Sequence, residues 1–320
     1  MALTKCAVAT DVIGGLGTSV VERGLTTQQF KDKFDQMPEG IKTYLNDTLT
    51  AELDVSLSQF STRQAIINGN FQVNQRVVSG TVTLAAGAYG HDRWKAGASG
   101  CTYTFSTSAN ITTLTITAGS LQQVIEGINL TTGTYTLSWT GTAQGKIGAG
   151  SLSASGVTGS VTGGSNITIE FETGTLSKVQ FNYGAIALPF QLKTFDDELR
   201  ACLRYYEKSY NYETAPATAL QVPGIVVFNL GSNSIDSNVI YGNVKFSVPK
   251  RDTPSVLILP YSTPTNISRV SDSSGGDLAA NSGGISYYGK TSFNAYNASG
   301  GTITGSNNSI MFHWTASAEL

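Results

Sequence analysis

The chain has 320 residues, which is enough to form two domains that bury their own cores without disulfide bonds. Charged residues make up 13% of it, roughly half the usual share, and the formal net charge at pH 7 is −2. A nucleic-acid-binding protein normally presents a basic face, and the sequence has no cluster of Lys and Arg, so we expect no nucleic-acid partner.

The sequence also argues against several other classes of protein. Cys6, Cys101 and Cys202 are far apart and have no metal-binding spacing, so we interpret them as unpaired thiols and expect no metal and no cofactor. The first 24 residues lack the order of a signal peptide, and no apolar run is long enough to span a bilayer. We therefore expect synthesis in the cytoplasm and no contact with a membrane.

Residues 1–60 predict a helical segment that needs a partner surface. Thr26 and Gln29 form a capping-box pattern, and Pro38 with Gly40 separates two runs of helical spacing. The apolar residues of those runs include Phe30, Phe34, Ile41, Leu45, Leu49 and Leu53. Two short helices cannot bury such stripes alone. They either pack on the β domain of the same chain or associate with other copies, as in a homotrimeric stalk.

Residues 61–195 change to a period of two. The stretches 111–117, 134–141, 166–171 and 178–183 each alternate apolar with polar residues, which is typical of strands with one buried face. No helical pattern separates them. We predict an antiparallel, jelly-roll-like β-sandwich, interrupted by a Gly- and Ser-rich stretch of weak strands.

A connecting helix is predicted over residues 196–214. Thr194 can cap its N-terminus, and the three acidic residues that follow lie where the helix dipole favours carboxylates, which explains them without catalysis. Its predicted buried stripe consists of Leu199, Cys202, Leu203 and Tyr206, and Lys208 lies near its C-terminal end. Residues 215–320 return to β-like stretches and predict a second sandwich. The fold class is therefore mainly β, with short N-terminal helices, two antiparallel β-sandwiches and one connecting helix.

Catalytic signatures are absent from the sequence. His91 and His313 are the two histidines, and neither lies in a recognisable nucleophile motif. A glycosidase needs two carboxylates at a set separation, and nothing in the sequence pairs any two of them. We predict that the chain is not an enzyme.

A glycan-binding site is easier to motivate. Sugars bind to flat aromatic faces flanked by planar hydrogen-bonding side chains, and the stretches 89–94 and 286–297 offer that mixture. The candidates are Trp94, Tyr287, Tyr288 and Tyr296. The alternative is that Trp94 is a core aromatic, that Asp92 and Arg93 form a structural ion pair, and that the tyrosines are structural.

Three stretches in a fixed order carry a resemblance: INGNFQVNQR at 67–76, YGHDRW at 89–94 and ELRACLRYYEKS at 198–209. This order resembles tailed-bacteriophage appendage proteins (tail or head fibres and minor tail proteins) that carry a carbohydrate-binding-module-like β-sandwich. The matching residues are Asn68, Gly69, Asn70, Phe71, Gln75, Arg76, Tyr89, Asp92, Arg93, Trp94, Cys202, Arg204, Tyr205 and Tyr206. The stretches 26–49, 246–256 and 312–320 are also similar to segments of such proteins.

The chain departs from that pattern at three positions. Asn74 replaces an aromatic residue, Val77 stands where Gly commonly follows Gln-Arg, and Leu203 stands where Gln is common. We interpret the first two motifs as architectural: Arg76 with Asp92 or Arg93 holds the first strand, and Phe71 and Trp94 enter the core. The structural set is Asn68, Asn70, Phe71, Gln75, Arg76, Asp92 and Arg93.

The resemblance implies a virion protein that combines structure and adhesion. Its N-terminal segment would attach to other virion proteins, and its sandwiches would contact host-surface polysaccharide. One alternative is a purely structural head-fibre, collar or baseplate component without glycan binding. A polysaccharide depolymerase is a less favoured alternative.

Overall fold

The computed structural model describes residues 41, 43, 64–231, 234–304 and 309–320. The predicted helical runs between residues 26 and 60 lie outside the described residues except at two positions, one of which is Ile41, helical and exposed. Phe30, Phe34, Leu45, Leu49 and Leu53 belong to the part that is not described. Gln64–Leu320 forms one compact unit, which is described below.

The described chain is mainly β, and its strands pair in antiparallel sheets. The first half builds an eight-stranded sheet in which the strands run β1-β2-β3-β8-β4-β6, with β7 paired to β3 and β5 paired to β7. The strands are β1 Val82–Leu84, β2 Lys95–Ser108, β3 Ile111–Ile125, β4 Gly133–Thr140, β5 Gly145–Ile147, β6 Val157–Val161, β7 Ile167–Phe171 and β8 Gly174–Tyr183. The four predicted alternating stretches lie in β3, β4, β7 and β8, so their assignment as strands is confirmed.

Alternation explains why these segments form strands. Along β4, Tyr135, Leu137 and Trp139 are all buried and belong to one hydrophobic core. Thr136 is also buried, and it avoids an unsatisfied hydroxyl because its Oγ1 donates to the carbonyl of Gly184 at 2.7 Å. Burial of each large apolar side chain stabilises the fold by about 1.5–3 kcal/mol. Because a strand buries every second residue, the period-two pattern outweighs the weaker intrinsic backbone preferences of the individual residues.

Among the described residues from 64 onwards, the α-helix α1 spans Phe195–Leu203, and a short 3₁₀ helix spans Gly127–Asn129. The N-cap of α1 is Thr194, whose Oγ1 accepts a hydrogen bond from the Asp197 backbone N–H at 3.2 Å, as predicted. The predicted end at residue 214 is wrong, because Tyr206–Lys208 forms strand β9 and pairs with residues 315–317. The backbone hydrogen bonds of that sheet replace those of a longer helix.

The predicted buried stripe of the helix is therefore only partly correct. Cys202 is fully buried, whereas Leu199 and Leu203 are half-buried, and the buried Tyr206 lies on the strand. Lys208 does not end a helix: it is buried, and its Nζ donates to two backbone carbonyls, including that of Tyr212 at 2.8 Å. Cys101 and Cys202 are free thiols, as predicted, and Cys6 lies outside the described residues.

The second half is organised around its last strand. The strands are β9 Tyr206–Lys208, β10 Val226–Asn229, β11 Ser234–Ile235, β12 Ile240–Lys245, β13 Ser255–Leu259, β14 Ser271–Asp272, β15 Gly284–Ser286, β16 Ser292–Tyr296, β17 Ile303–Thr304 and β18 Ser309–Ser317. β18 pairs with β10 and β14 through its first half and with β13 and β9 through its second half. β12, β16 and β15 form a separate three-stranded sheet, and a second core gathers around Phe293, Phe312 and Trp314. None of the helices in the described ranges is long and apolar enough to cross a bilayer.

Candidate functional site

Asn68 organises the loop that contains the first motif. Its side-chain amide donates to the carbonyls of Val73 at 2.8 Å and Asp92 at 3.0 Å, and its Oδ1 accepts from Val73 N–H at 2.9 Å. Its φ of +59° is a left-handed conformation that Asn tolerates better than most residues. A fully buried Asn with all these hydrogen bonds fixes the loop, so its role is structural.

Gly69 follows because the backbone comes very close to strand β8. Its carbonyl accepts from Val179 N–H at 2.9 Å, and a Cβ at this position would lie 2.2 Å from the Val179 carbonyl oxygen. No side chain can be accommodated there without moving one of the two backbones.

Phe71 and Trp94 are core residues. Their ring centroids are 4.9 Å apart, Trp94 has 0% exposure, and its Nε1 donates to the Asn68 carbonyl at 2.9 Å. The expectation that Trp94 binds glycan is wrong for this structure, because the buried ring presents no face to a ligand. Its position agrees with the architectural interpretation.

Asp92 connects the two motifs. Its carboxylate accepts hydrogen bonds from the backbone N–H of Gln75 at 2.6 Å and from the Gln75 Nε2 at 2.7 Å, and Arg76 Nη1 lies 3.8 Å away. Gln75 Nε2 also donates to the carbonyl of Tyr206 at 3.0 Å. Burial raises the pKa of the Asp92 carboxyl, and Arg76 and the Gln75 hydrogen bonds oppose that shift.

Glu319 completes the arrangement, and the sequence reasoning missed it. Its carboxylate accepts a hydrogen bond from Arg76 Nη2 at 3.3 Å and forms an ion pair with Arg93 Nη1. Arg93 is almost fully buried, and its guanidinium lies 3.5 Å from the ring centroid of Tyr205. We call the set of Asn68, Gln75, Arg76, Asp92, Arg93 and Glu319 the motif clamp. The motif clamp brings together the stretches 67–76, 89–94, 198–209 and 312–320. The sequence signal that could have placed Glu319 beside Arg76 and Arg93 is that all four stretches resemble segments of the same class of phage protein.

Asn70 lies at the edge of the motif clamp. Its Nδ2 donates to the carbonyl of Asn110 at 2.7 Å, so this residue joins the first motif to the turn between β2 and β3. With Asn70 and Phe71 placed, all seven residues of the predicted structural set lie in or beside one buried network.

Ser209 and His313 form a pair that resembles a nucleophile and its base. Ser209 Oγ lies 2.9 Å from His313 Nδ1, and His313 Nε2 lies 2.8 Å from the carbonyl oxygen of Gln221. The carbonyl requires Nε2 to carry the proton, so Nδ1 accepts from the serine. Ser209 Oγ also accepts from Trp314 N–H at 3.0 Å, and His313 is buried against the ring of Tyr210. Ser209 is half-buried, and its oxygen already accepts a backbone hydrogen bond, so the pair fits a structural role.

The predicted tyrosines lie on or beside the three-stranded sheet β12-β16-β15. Tyr287 and Tyr288 follow the end of β15 and are 81% and 52% exposed. Tyr296 on β16 is half-buried, and its ring covers Gly284 on the neighbouring strand, where a Cβ would lie 2.6 Å from Tyr296 Cε1.

Two amides lie beside Tyr296. Asn294 is two residues away on β16 and therefore points to the same face, and it pairs with Asn243 on β12. Asn243 Nδ2 donates to Asn294 Oδ1 at 2.8 Å. We call Asn243, Tyr287, Tyr288, Asn294 and Tyr296 the tyrosine face.

Comparison with family models, with curated proteins and with solved structures gives no match for this chain. Within the described ranges, no group of three or more His, Cys, Asp or Glu side chains is arranged to hold a metal ion. A functional assignment therefore depends on the geometry of the tyrosine face and on the motifs themselves.

Proposed function

We propose that this chain is a structural and adhesive protein of a tailed-phage virion, which contacts host-surface glycan through the tyrosine face. The observation that carries this proposal is the pair of exposed aromatic rings, Tyr287 and Tyr288, beside a sheet that bears paired amides. Large exposed aromatic residues in a cluster are typical of binding surfaces.

The chemistry of the tyrosine face suits a sugar. A phenol ring offers a flat apolar surface to the C–H face of a pyranose and a hydroxyl at its rim. Among the described residues, Asn243 Oδ1 and Asn294 Nδ2 take part in no hydrogen bond, so one acceptor and one donor are available to sugar hydroxyls.

The architecture in this proposal has three parts. Strands β1–β8 form the carbohydrate-binding-module-like sandwich, strands β9–β18 form a second sandwich, and the motif clamp fastens one to the other. Residues 1–60 attach to other virion proteins and associate as a homotrimer. Three tyrosine faces on one fibre would strengthen weak single-site binding by multivalency.

The test is binding of fluorescently labelled protein to a panel of bacterial strains, with purified surface polysaccharide as competitor. We expect strain-selective binding that the polysaccharide removes and that the double variant Tyr287→Ala/Tyr288→Ala loses. Tyr183→Ala is the matched control, because Tyr183 is a 48% exposed tyrosine on strand β8.

Other outcomes favour the alternatives. Absence of binding to every strain, with binding to virion components retained, would indicate a head-fibre, collar or baseplate component without glycan binding. Shortening of the polysaccharide during the assay would indicate a depolymerase.

A further inference from the structure

A groove at the junction of the two halves of the unit Gln64–Leu320 is a second candidate binding surface. Two adjoining cavities, of about 510 and 490 Å³, share Arg204 and Pro249 in their linings. Their walls include Glu126–Ile128 from the first half and Pro249–Asp252 with Lys290 from the second half. We call this the junction groove. Cavities of this size accommodate small ligands.

The junction groove contains more cations than carboxylates, although the whole chain is acidic. Glu126 serves two guanidinium groups: its Oε2 lies 3.0 Å from Arg204 Nη2, and its Oε1 lies 3.8 Å from Arg251 Nε. One carboxylate neutralises one positive charge, so this trio keeps a net charge of about +1.

Arg200 adds a second positive charge at the far end of the groove. It is exposed and, within the described ranges, has no carboxylate at ion-pair distance. The groove also contains Asp197, whose Oδ2 accepts from Thr194 Oγ1, and the pair of Lys290 with Asp252 at 3.8 Å. Four accessible cations thus face three carboxylates. Lys250 does not enter this count because it is fully buried and paired with Glu207.

The remaining lining is suited to a sugar. Ile128 is 81% exposed, and Pro249 is exposed beside it, so both can contact the C–H face of a pyranose. Asn166 Oδ1 accepts from Gly127 N–H at 2.9 Å, which leaves its exposed Nδ2 as a donor for a hydroxyl group. An inorganic anion has no apolar surface that could pack against Ile128 and Pro249.

The wall that carries Ile128 is held firmly. Gly164 N–H donates to the Gly127 carbonyl at 3.2 Å, and a Cβ at Gly127 would lie 2.3 Å from the Gly164 carbonyl carbon. On the opposite side, Arg251 Nε donates to the carbonyl of Ala318 at 2.9 Å. A groove with fixed walls loses little conformational entropy when a ligand binds.

We infer that the junction groove binds an acidic oligosaccharide, in which a sugar carboxylate pairs with the guanidinium group of Arg200 and Lys290 supplies positive charge at the other end of the groove. Guanidinium groups bind carboxylates through two parallel hydrogen bonds, which also orients the ligand. This inference rests on the proposed function as a glycan-binding protein, but it concerns a different surface from the tyrosine face.

The test is isothermal titration of the full chain with two acidic probes, tetragalacturonic acid and a hyaluronan tetrasaccharide, at low and at physiological salt. Maltotetraose is the neutral control. We expect an acidic probe to bind, with weaker binding at higher salt because the contacting charges are partly exposed. The double variant Arg200→Gln/Lys290→Gln should bind it roughly tenfold more weakly.

Two further variants separate this inference from the proposed function. Lys245→Gln removes an exposed cation on β12, and Tyr287→Ala/Tyr288→Ala alters the tyrosine face; both should bind the acidic probe as the unaltered chain does. Failure of the unaltered chain to bind either acidic probe, or equal binding of Arg200→Gln/Lys290→Gln, would overturn the inference. Equally tight binding of inorganic pyrophosphate would also overturn it, because that result indicates a general anion site. None of these results depends on the cell-binding assay.

Discussion

The motif clamp and the tyrosine face both place planar polar side chains beside aromatic rings, but their environments are opposite. Arg93 of the motif clamp lies over the ring of Tyr205, and Asn294 of the tyrosine face lies beside Tyr296. In the motif clamp, Asp92 and Arg93 are almost completely buried, and every charge has a partner. In the tyrosine face, Tyr287 and Tyr288 present their rings to solvent.

This difference teaches that residue type alone does not separate a binding site from a structural network. A buried carboxylate or guanidinium without a partner is strongly destabilising, so the motif clamp has to be satisfied internally. Exposed rings carry no such requirement and are free to contact a ligand. Substitutions should therefore affect stability in the first region and binding in the second.

Glu319→Ala should give the largest loss of stability. The Arg93 guanidinium would lose its carboxylate while its side chain stays 1% exposed, and breaking such a buried pair costs about 3–5 kcal/mol. Asp252→Ala is the matched control: its side chain and that of Lys290 are more than half exposed, and such pairs contribute at most about 1 kcal/mol. Chemical unfolding measures both, and equal losses would contradict the role given to the motif clamp.

Gly69→Ala should destabilise by about 3 kcal/mol, because the new methyl group would collide with the Val179 backbone. Gly301→Ala is the control, since a Cβ there meets nothing within 4 Å. Thermal unfolding gives the Tm of each variant. We expect a large decrease in Tm for Gly69→Ala, where packing requires glycine, and little change for Gly301→Ala, where it does not. A similar Tm for both would mean that the first motif is not rigidly packed on β8.

Acid should weaken the region around the motif clamp through His91. Burial lowers the pKa of His91 to about 4, and its Nδ1 lies 2.9 Å from the hydroxyl oxygen of Tyr103 between aromatic rings. The unfolded chain takes up a proton near pH 6.5, and the folded chain does so only near pH 4. The free energy of unfolding therefore falls as pH decreases through that window, by up to about 3 kcal/mol.

His91→Gln removes this dependence, because glutamine does not titrate. The difference in free energy of unfolding between the unaltered chain and the variant should shrink as pH falls from 7 to 4.5. Urea titrations at several pH values measure it, and a constant difference would show that His91 is not buried in its neutral form.

Val77→Gly should have the smallest effect, a gain of no more than about 1 kcal/mol. Val77 has a φ of +55°, which is unfavourable for a β-branched residue, and Gly relieves that strain while losing some chain entropy. Val78→Gly is the comparison, because Val78 has no positive φ and packs against the core, so its loss should destabilise. If Val77→Gly were the more destabilising of the two, strain at Val77 would not be relieved by Gly.

Local sequence patterns predicted those parts of the fold that local physics determines. Alternation in β3, β4, β7 and β8 and the cap at Thr194 were correct, because strand faces and helix ends depend on neighbouring residues. The end of α1 was wrong, because Tyr206–Lys208 pairs with residues more than a hundred positions later. The ion pair between Arg76 and Glu319 could not be predicted for the same reason, because Glu319 lies 243 residues further along the chain.

The candidate site was predictable only in outline. The mixture of aromatic and amide residues identified both Trp94 and the three tyrosines, but exposure separates them, and exposure follows from tertiary packing. Trp94 is enclosed because Asn68 and Phe71 surround it, whereas Tyr287 follows a short strand of only three residues. The junction groove was not predictable, since Glu126, Arg204 and Arg251 come from three distant segments.

The most direct test of the central claim measures Tm and strain-selective cell binding together in two variants, Trp94→Phe and Tyr287→Ala/Tyr288→Ala. Trp94→Phe should lower the Tm, because the hydrogen bond to the Asn68 carbonyl is lost in a buried site, and it should still bind cells below that Tm. The double tyrosine variant should keep the Tm and lose binding. Loss of binding by Trp94→Phe at an unchanged Tm, with binding retained by the tyrosine variant, would contradict the account.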